Sequence, residues 1–104
     1  MSLNDTGRFS ENNLLILASL AGGPKHGYAM MEDIQEMSGI RLGPGTLYAA
    51  IVRLEEQGMI QALPIEDRRK PYQLTGLGVK TLEEQLKDVQ SFTVQGLERL
   101  RIQI

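Results

Sequence analysis

The sequence predicts a mostly α-helical fold with one small β-hairpin, and three observations predict it. Apolar residues recur at helical spacing through most of the chain, two short strand-like runs flank a basic turn between 61 and 75, and one further apolar stripe continues to the C-terminus. Three helices, a hairpin and a long last helix, in that order, describe a winged helix-turn-helix extended by a C-terminal dimerisation helix. The expected division is 1–9 as a flexible N-terminal arm, 10–76 as the winged domain and 77–104 as the dimerisation helix.

Residues 1–9 show no period. Ser10 is suited to cap a first helix carrying Leu14, Leu17 and Ala18; Leu15, Ile16 and Leu20 spread apolar surface over further sides, so this helix is expected to be buried, and Gly22-Gly23-Pro24 ends it. A second helix over 26–37 places Met30, Ile34 and Met37 on its inner stripe and turns Glu32, Asp33, Gln35 and Glu36 outward, with Ser38-Gly39 closing it. Its start holds the one histidine of the chain, His26, read as a cap or packed side chain rather than a ligand, and Tyr28, read as core or as a phosphate contact. Met30, Met31, Met37 and Met59 are read as core filler.

The third helix is expected to start at a Thr46 cap and to stop at Gly58, where a left-handed turn meets no Cβ clash. Pro44 holds Gly43 away from helical angles and so helps set where this helix begins. Between the two marks Leu47, Ala50, Ile51 and Leu54 form one narrow buried stripe. The hairpin follows, with Tyr72 and Leu74 alternating against Gln73 and Thr75. Pro64 and Pro71 have no amide to give a ladder, which predicts short strands or strand edges at those positions. Thr75 caps the last helix. Along it Leu82, Leu86, Val89, Thr93, Leu97, Leu100 and Ile104 repeat at spacings of four and three, close to a heptad seam that needs a partner helix. Gly96 beside the seam leaves room for a close helix crossing.

The face of the third helix opposite its buried stripe carries Gly45, Tyr48, Ala49, Val52, Arg53 and Glu56, and the contacts expected from this helix are Gly45, Thr46, Tyr48, Ala49, Val52 and Arg53. Small residues near its start let the backbone enter a groove, and the major groove of DNA, ~12 Å wide, accepts one helix. Arg68, Arg69 and Lys70 then form the tip of the hairpin, placed to touch phosphates or a minor groove. These nine residues are the expected DNA contacts.

His26-Gly27-Tyr28, Gly45-Thr46-Leu47-Tyr48, the run from Arg53 through Leu54-Glu55-Glu56-Gln57-Gly58-Met59 to Ile60, and the run from Arg68 through Arg69-Lys70-Pro71-Tyr72-Gln73-Leu74 to Thr75 closely resemble the PadR-like transcriptional regulators. Four segments in the family's order, over roughly 12–80, are more specific than any one alone. The resemblance implies a homodimeric DNA binder that recognises a palindromic operator, acts as a repressor, and is often released by a small-molecule effector.

The totals fit one small domain of 104 residues. There is no cysteine, hence no disulfide or thiolate metal site, and no apolar run approaches a membrane span; with no signal-peptide pattern at the start, a cytoplasmic location is expected. The net charge of -2 divides unevenly: residues 41–80 hold Arg41, Arg53, Arg68, Arg69, Lys70 and Lys80 against Glu55, Glu56, Glu66 and Asp67, a local excess of two positive charges. A local basic patch governs phosphate affinity more than the overall pI. With one histidine and no nucleophile elbow or phosphate-cradling glycine loop, the residues point to no enzyme, no metal and no cofactor. The rival reading is a winged-helix protein-interaction module whose acidic remainder avoids DNA.

Overall fold

The structure, a computed structural model, describes residues 11–103. Helix α1 (Glu11–Ala21) leads to a short strand β1 (Lys25–His26), then α2 (Gly27–Ser38), α3 (Pro44–Glu56), β2 (Ile60–Ala62), β3 (Pro71–Leu74) and the long α4 (Gly76–Ile102). The three strands form one antiparallel sheet in the order β1-β3-β2. The arm at 1–9, the expected Ser10 cap and the last seam position, Ile104, lie outside the described residues.

One core holds these elements together. Ile16, Leu17 and Leu20 of α1, Met30 and Ile34 of α2, the stripe Leu47, Ala50, Ile51 and Leu54 of α3, and Ile60, Tyr72 and Leu82 are all buried. The stripe read from the α3 sequence is thus its packed face. Burying a large aliphatic side chain contributes about 1.5–3 kcal/mol, and nine of these side chains are apolar ones supplied by α1, α2 and α3. The winged core is therefore chiefly a three-helix core with the sheet at its edge.

Several boundaries depart from expectation for local reasons. Helix α3 begins three residues early, at Pro44, because a ring-locked φ suits the first helical position; Gly43 in an extended conformation (φ −74, ψ 160) is the cap, and Thr46 stands exposed in the first turn with no capping role. Met37, expected on the inner stripe of α2, is 49% exposed, since the core meets this helix at Met30, Met31 and Ile34, short of its last turn. The sheet has a third strand that the hairpin reading lacked: Lys25 pairs with Tyr72 and His26 with Pro71. Consequently β3 is the central strand, not an edge, and Pro71 is tolerated there as its first residue. The other marks hold: Gly39 (φ 76) and Gly58 (φ 77) end α2 and α3 in the left-handed region.

The junction into α4 is tightly built. Thr75 Oγ1 accepts from the Gly78 amide at 3.1 Å and donates to the Gly58 carbonyl at 2.6 Å, so one hydroxyl caps α4 and ties it to the end of α3. The first turns of α4 lie against α1, which buries Leu82. Leu82 is therefore a core residue and is not available to a dimer seam, a correction to the seam as read from its spacing alone. Beyond it, Leu86 is 45% exposed, Leu97 54% and Leu100 61%, Thr93 is exposed and Val89 half-buried. At ~1.5 Å per residue a 27-residue helix is ~40 Å long, far past a core of this size, and it gives the molecule its 56 Å long axis.

Candidate nucleic-acid interface

The flank of α3 is as bare as its sequence suggests. Gly45, Thr46, Tyr48, Ala49, Val52 and Arg53 are all exposed, with Tyr48 at 47% and Val52 at 52%. Their helix is held from behind by Leu47, Ala50, Ile51 and Leu54, so the flank is presented by a rigid element rather than a loop.

The wing tip is a tight turn. Glu66 and Arg69 exchange both backbone hydrogen bonds, the Glu66 amide donating at 2.9 Å and the Arg69 amide at 2.8 Å, and the central residues Asp67 and Arg68 have φ of 50 and 68. Two left-handed central residues define a two-residue type I′ hairpin, a turn that favours Asn-Gly or Asp-Gly. Aspartate is at ease in the first place. Arginine in the second accepts a backbone conformation in which glycine would meet no Cβ penalty, so the local rule is broken to put a guanidinium at the apex.

From the turn the three cations diverge. The Arg69 Nη1 lies 3.1 Å from Nε2 of His26, and the Lys70 ammonium sits 5.8 Å from the centre of the Tyr72 ring, within cation–π range. Among the described residues the ion pairs are Lys25 with Asp33 and Lys87 with Glu83, so none of the wing cations is neutralised by a carboxylate. Arg53, too, is exposed and outside those pairs.

A cleft of about 280 Å³ joins wing and helix. Its walls are His26, Gly27 and Tyr28 from the start of α2, Tyr48 from α3, and Arg68, Arg69, Lys70 and Tyr72 from the wing. The structure thus brings Tyr48 and the three tip cations to one place, while Gly45, Thr46, Ala49, Val52 and Arg53 lie outside the cleft walls along the open flank. Tyr48 reaches the cleft because residue 27 has no side chain: a Cβ there would overlap the Tyr48 phenol. His26 is fixed from two sides, by pairing of β1 with β3 and by the Lys25 ammonium, which donates to the carbonyls of Ser19 (2.6 Å) and Gly23 (3.2 Å) at the end of α1. Its Nδ1 accepts from the Ala29 amide at 3.4 Å and caps α2.

His26, Gly27 and Tyr72 are not among the contacts expected from sequence, whereas Tyr28 has a phosphate contact as one of its two readings. Tyr28 is 58% exposed, which removes its core reading. No local signal marks them: Lys25-His26 is a two-residue strand that exists only through its pairing with Tyr72 and Pro71, and that pairing carries the start of α2 to the wing.

The description "Transcriptional regulator PadR-like family" matches residues 16–84 of the chain. A crystal structure of a PadR-family transcription regulator from Clostridium difficile R20291 shares 26% identity, covering 86% of this chain and 97% of that one, with a TM-score of 0.77. F93 from STIV, a winged-helix DNA-binding protein, superposes with a TM-score of 0.72 at 24% identity over 77% of this chain and 88% of its own, a likeness of fold. An uncharacterized 37.1 kDa protein in transposon TN4556 of Streptomyces fradiae is 42% identical over 78 residues, which are 75% of this chain. The chain spans only 23% of that relative's length.

Proposed function

The chain belongs to the PadR-like family of transcriptional regulators, and from that premise we propose that it is a homodimeric repressor that binds a palindromic operator and is released by a small-molecule effector. Its winged-helix fold is a DNA-binding fold, and the family's members are regulators rather than enzymes. Among the described residues no helix is long and apolar enough to cross a membrane.

In this reading the α3 flank of Gly45, Thr46, Tyr48, Ala49, Val52 and Arg53 enters a major groove, and Arg68, Arg69 and Lys70 hold the flanking backbone or minor groove. Residues 77–104 pair with those of a second copy through Leu86, Val89, Thr93, Leu97 and Leu100, which sets the distance between half-sites. The observation that carries the reading is the shared cleft of Tyr48 and the three tip cations: one residue of the helix flank and the wing tip line the same space within one subunit. A duplex touching one is within reach of the other.

The experiment is a salt titration of binding to a random-sequence duplex, with size measured by light scattering. Each phosphate contact contributes about 0.9 to the negative slope of log affinity on log salt, so replacing Arg68, Arg69 and Lys70 together by alanine is expected to flatten the slope by about 0.9 for every phosphate these three side chains neutralise. An unchanged slope removes the wing from the interface. Selection from a random duplex pool then tests the palindrome: winners that are not inverted repeats rule it out.

A further inference from the structure

We propose that the cleft between the start of α2, Tyr48 and the wing tip is a seat for one phosphate group, filled in the complex by a phosphate of the DNA backbone. The proposal rests on the DNA-binding reading above. It extends that reading to residues of α2, which lie on neither the groove-entering helix nor the wing.

The cleft has the chemistry of an oxyanion site. Its polar lining residues are Arg68, Arg69, Lys70, His26, Tyr28 and Tyr48, and no aspartate or glutamate lines it. Three cationic residues line it, none with an acidic partner among the described residues. Cations bordering one space without a carboxylate repel one another until an anion enters, and a phosphate accepts from guanidinium, ammonium and phenol at once.

One contact is already arranged as a placeholder. Arg69 is a donor only, so its short approach to Nε2 of His26 uses that nitrogen's lone pair. A neutral imidazole has one such nitrogen, and His26 also offers Nδ1 to the Ala29 amide. The two bonds therefore compete for one tautomer. An entering phosphate oxygen replaces His26 as the acceptor for Arg69 and leaves the histidine to cap α2 alone. Because the cleft walls come from both α3 and the wing, the elements set to flank a duplex, the backbone of that duplex is the source of phosphate that fits.

Tyr28→Phe is the deciding variant, since it removes one hydroxyl from a side chain that is 58% exposed and should leave thermal stability unchanged. Against a random-sequence duplex, the expected loss is about tenfold in affinity with the salt slope kept, as for one hydrogen bond to a charged group; Arg69→Met, which leaves Arg68 and Lys70 on the same phosphate, should lower the slope by a part of the roughly 0.9 that one phosphate contributes. In parallel, inorganic phosphate is titrated into the free protein while the amide resonances of Tyr28 and Arg69 are followed. If the parent protein binds duplex with a steep slope and Tyr28→Phe binds as tightly, the seat is overturned and the DNA reading survives. If the parent shows no salt-dependent binding to duplex, the DNA reading fails; saturable phosphate shifts confined to the cleft then keep the seat with free phosphate as its source, and unmoved resonances overturn it.

Discussion

His26 and Arg69, 43 positions apart in the chain, meet with Nε2 and Nη1 3.1 Å apart, so that the ring whose Nδ1 faces the start of α2 presents its other nitrogen to the wing tip, one tautomer serving one of the two contacts at a time. The pairing of β1 with β3 makes this possible, because it sets Lys25-His26 alongside Pro71-Tyr72 directly after the tip.

The two duties of His26 can be separated by substitution. Asparagine caps helices well but its side chain is shorter than the imidazole, so His26→Asn should keep the α2 cap and lose Arg69, whereas His26→Ala loses both. Urea unfolding is expected to show a loss of about 1 kcal/mol for alanine and near-parent stability for asparagine. Equal losses would mean that the wing contact, not the cap, is what His26 contributes to stability.

Two glycines in close contacts should respond in opposite ways to alanine. At Gly78 an added Cβ would run into the backbone carbonyl of Met59, which cannot move without shifting α4 from the end of α3. At Gly27 it would meet only the phenol of Tyr48, the half-exposed end of a flexible side chain. Thermal or urea unfolding should therefore show Gly78→Ala destabilised by about 1–3 kcal/mol, while Gly27→Ala stays within about 0.5 kcal/mol of the parent. Duplex binding should fall only for Gly27→Ala among folded variants, because Tyr48 is pushed from the cleft.

What the sequence carried legibly was local and periodic. The α3 stripe, the glycine stops at Gly39 and Gly58 and the Thr75 cap each follow from a few adjacent residues, and each stands in the structure as read. Illegible features depended on partners distant in sequence. Nothing near Lys25-His26 announces pairing with Tyr72 and Pro71, and nothing in the spacing of Leu82 reveals that α1 covers it. The same limit hid half of the cleft: the wing cations were visible as a charge run, but Gly27 and Tyr28 become neighbours of Tyr48 only once α2 and α3 are packed.

The burial difference along α4 predicts two separate failures. Leu82→Ala should cost about 2–5 kcal/mol of folding stability, as a cavity in the core, with assembly of the folded fraction unaffected. Leu97→Glu places a charge on an exposed stripe and should leave the winged domain folded, as followed by circular dichroism, while reducing the particle seen by light scattering to a single chain. A Leu97→Glu protein of the same size as the parent would move the dimer contact off this stripe. Gly96→Ala refines the point, since no atom lies within 4 Å of a Cβ there within one subunit. The helix gains up to about 1 kcal/mol from alanine, so weaker assembly despite a firmer helix would identify Gly96 as a crossing point.

The apex of the wing offers the sharpest separation of stability from function. Asp67 and Arg68 occupy the two left-handed positions of the type I′ turn, and Asn-Gly is the pair that such a turn prefers. Replacing both, Asp67→Asn with Arg68→Gly, relieves the Cβ penalty at position 68 and should raise stability by about 1 kcal/mol in urea unfolding, since a left-handed non-glycine residue costs roughly 1–2 kcal/mol. The same change removes one cation from the tip. If Arg68 touches a phosphate, the stabilised protein should bind a random duplex more weakly and with a salt slope lower by about 0.9. Gain in stability together with unchanged binding would leave the arginine at the apex without a role in DNA contact, and would shift the wing's share of the interface to Arg69 and Lys70.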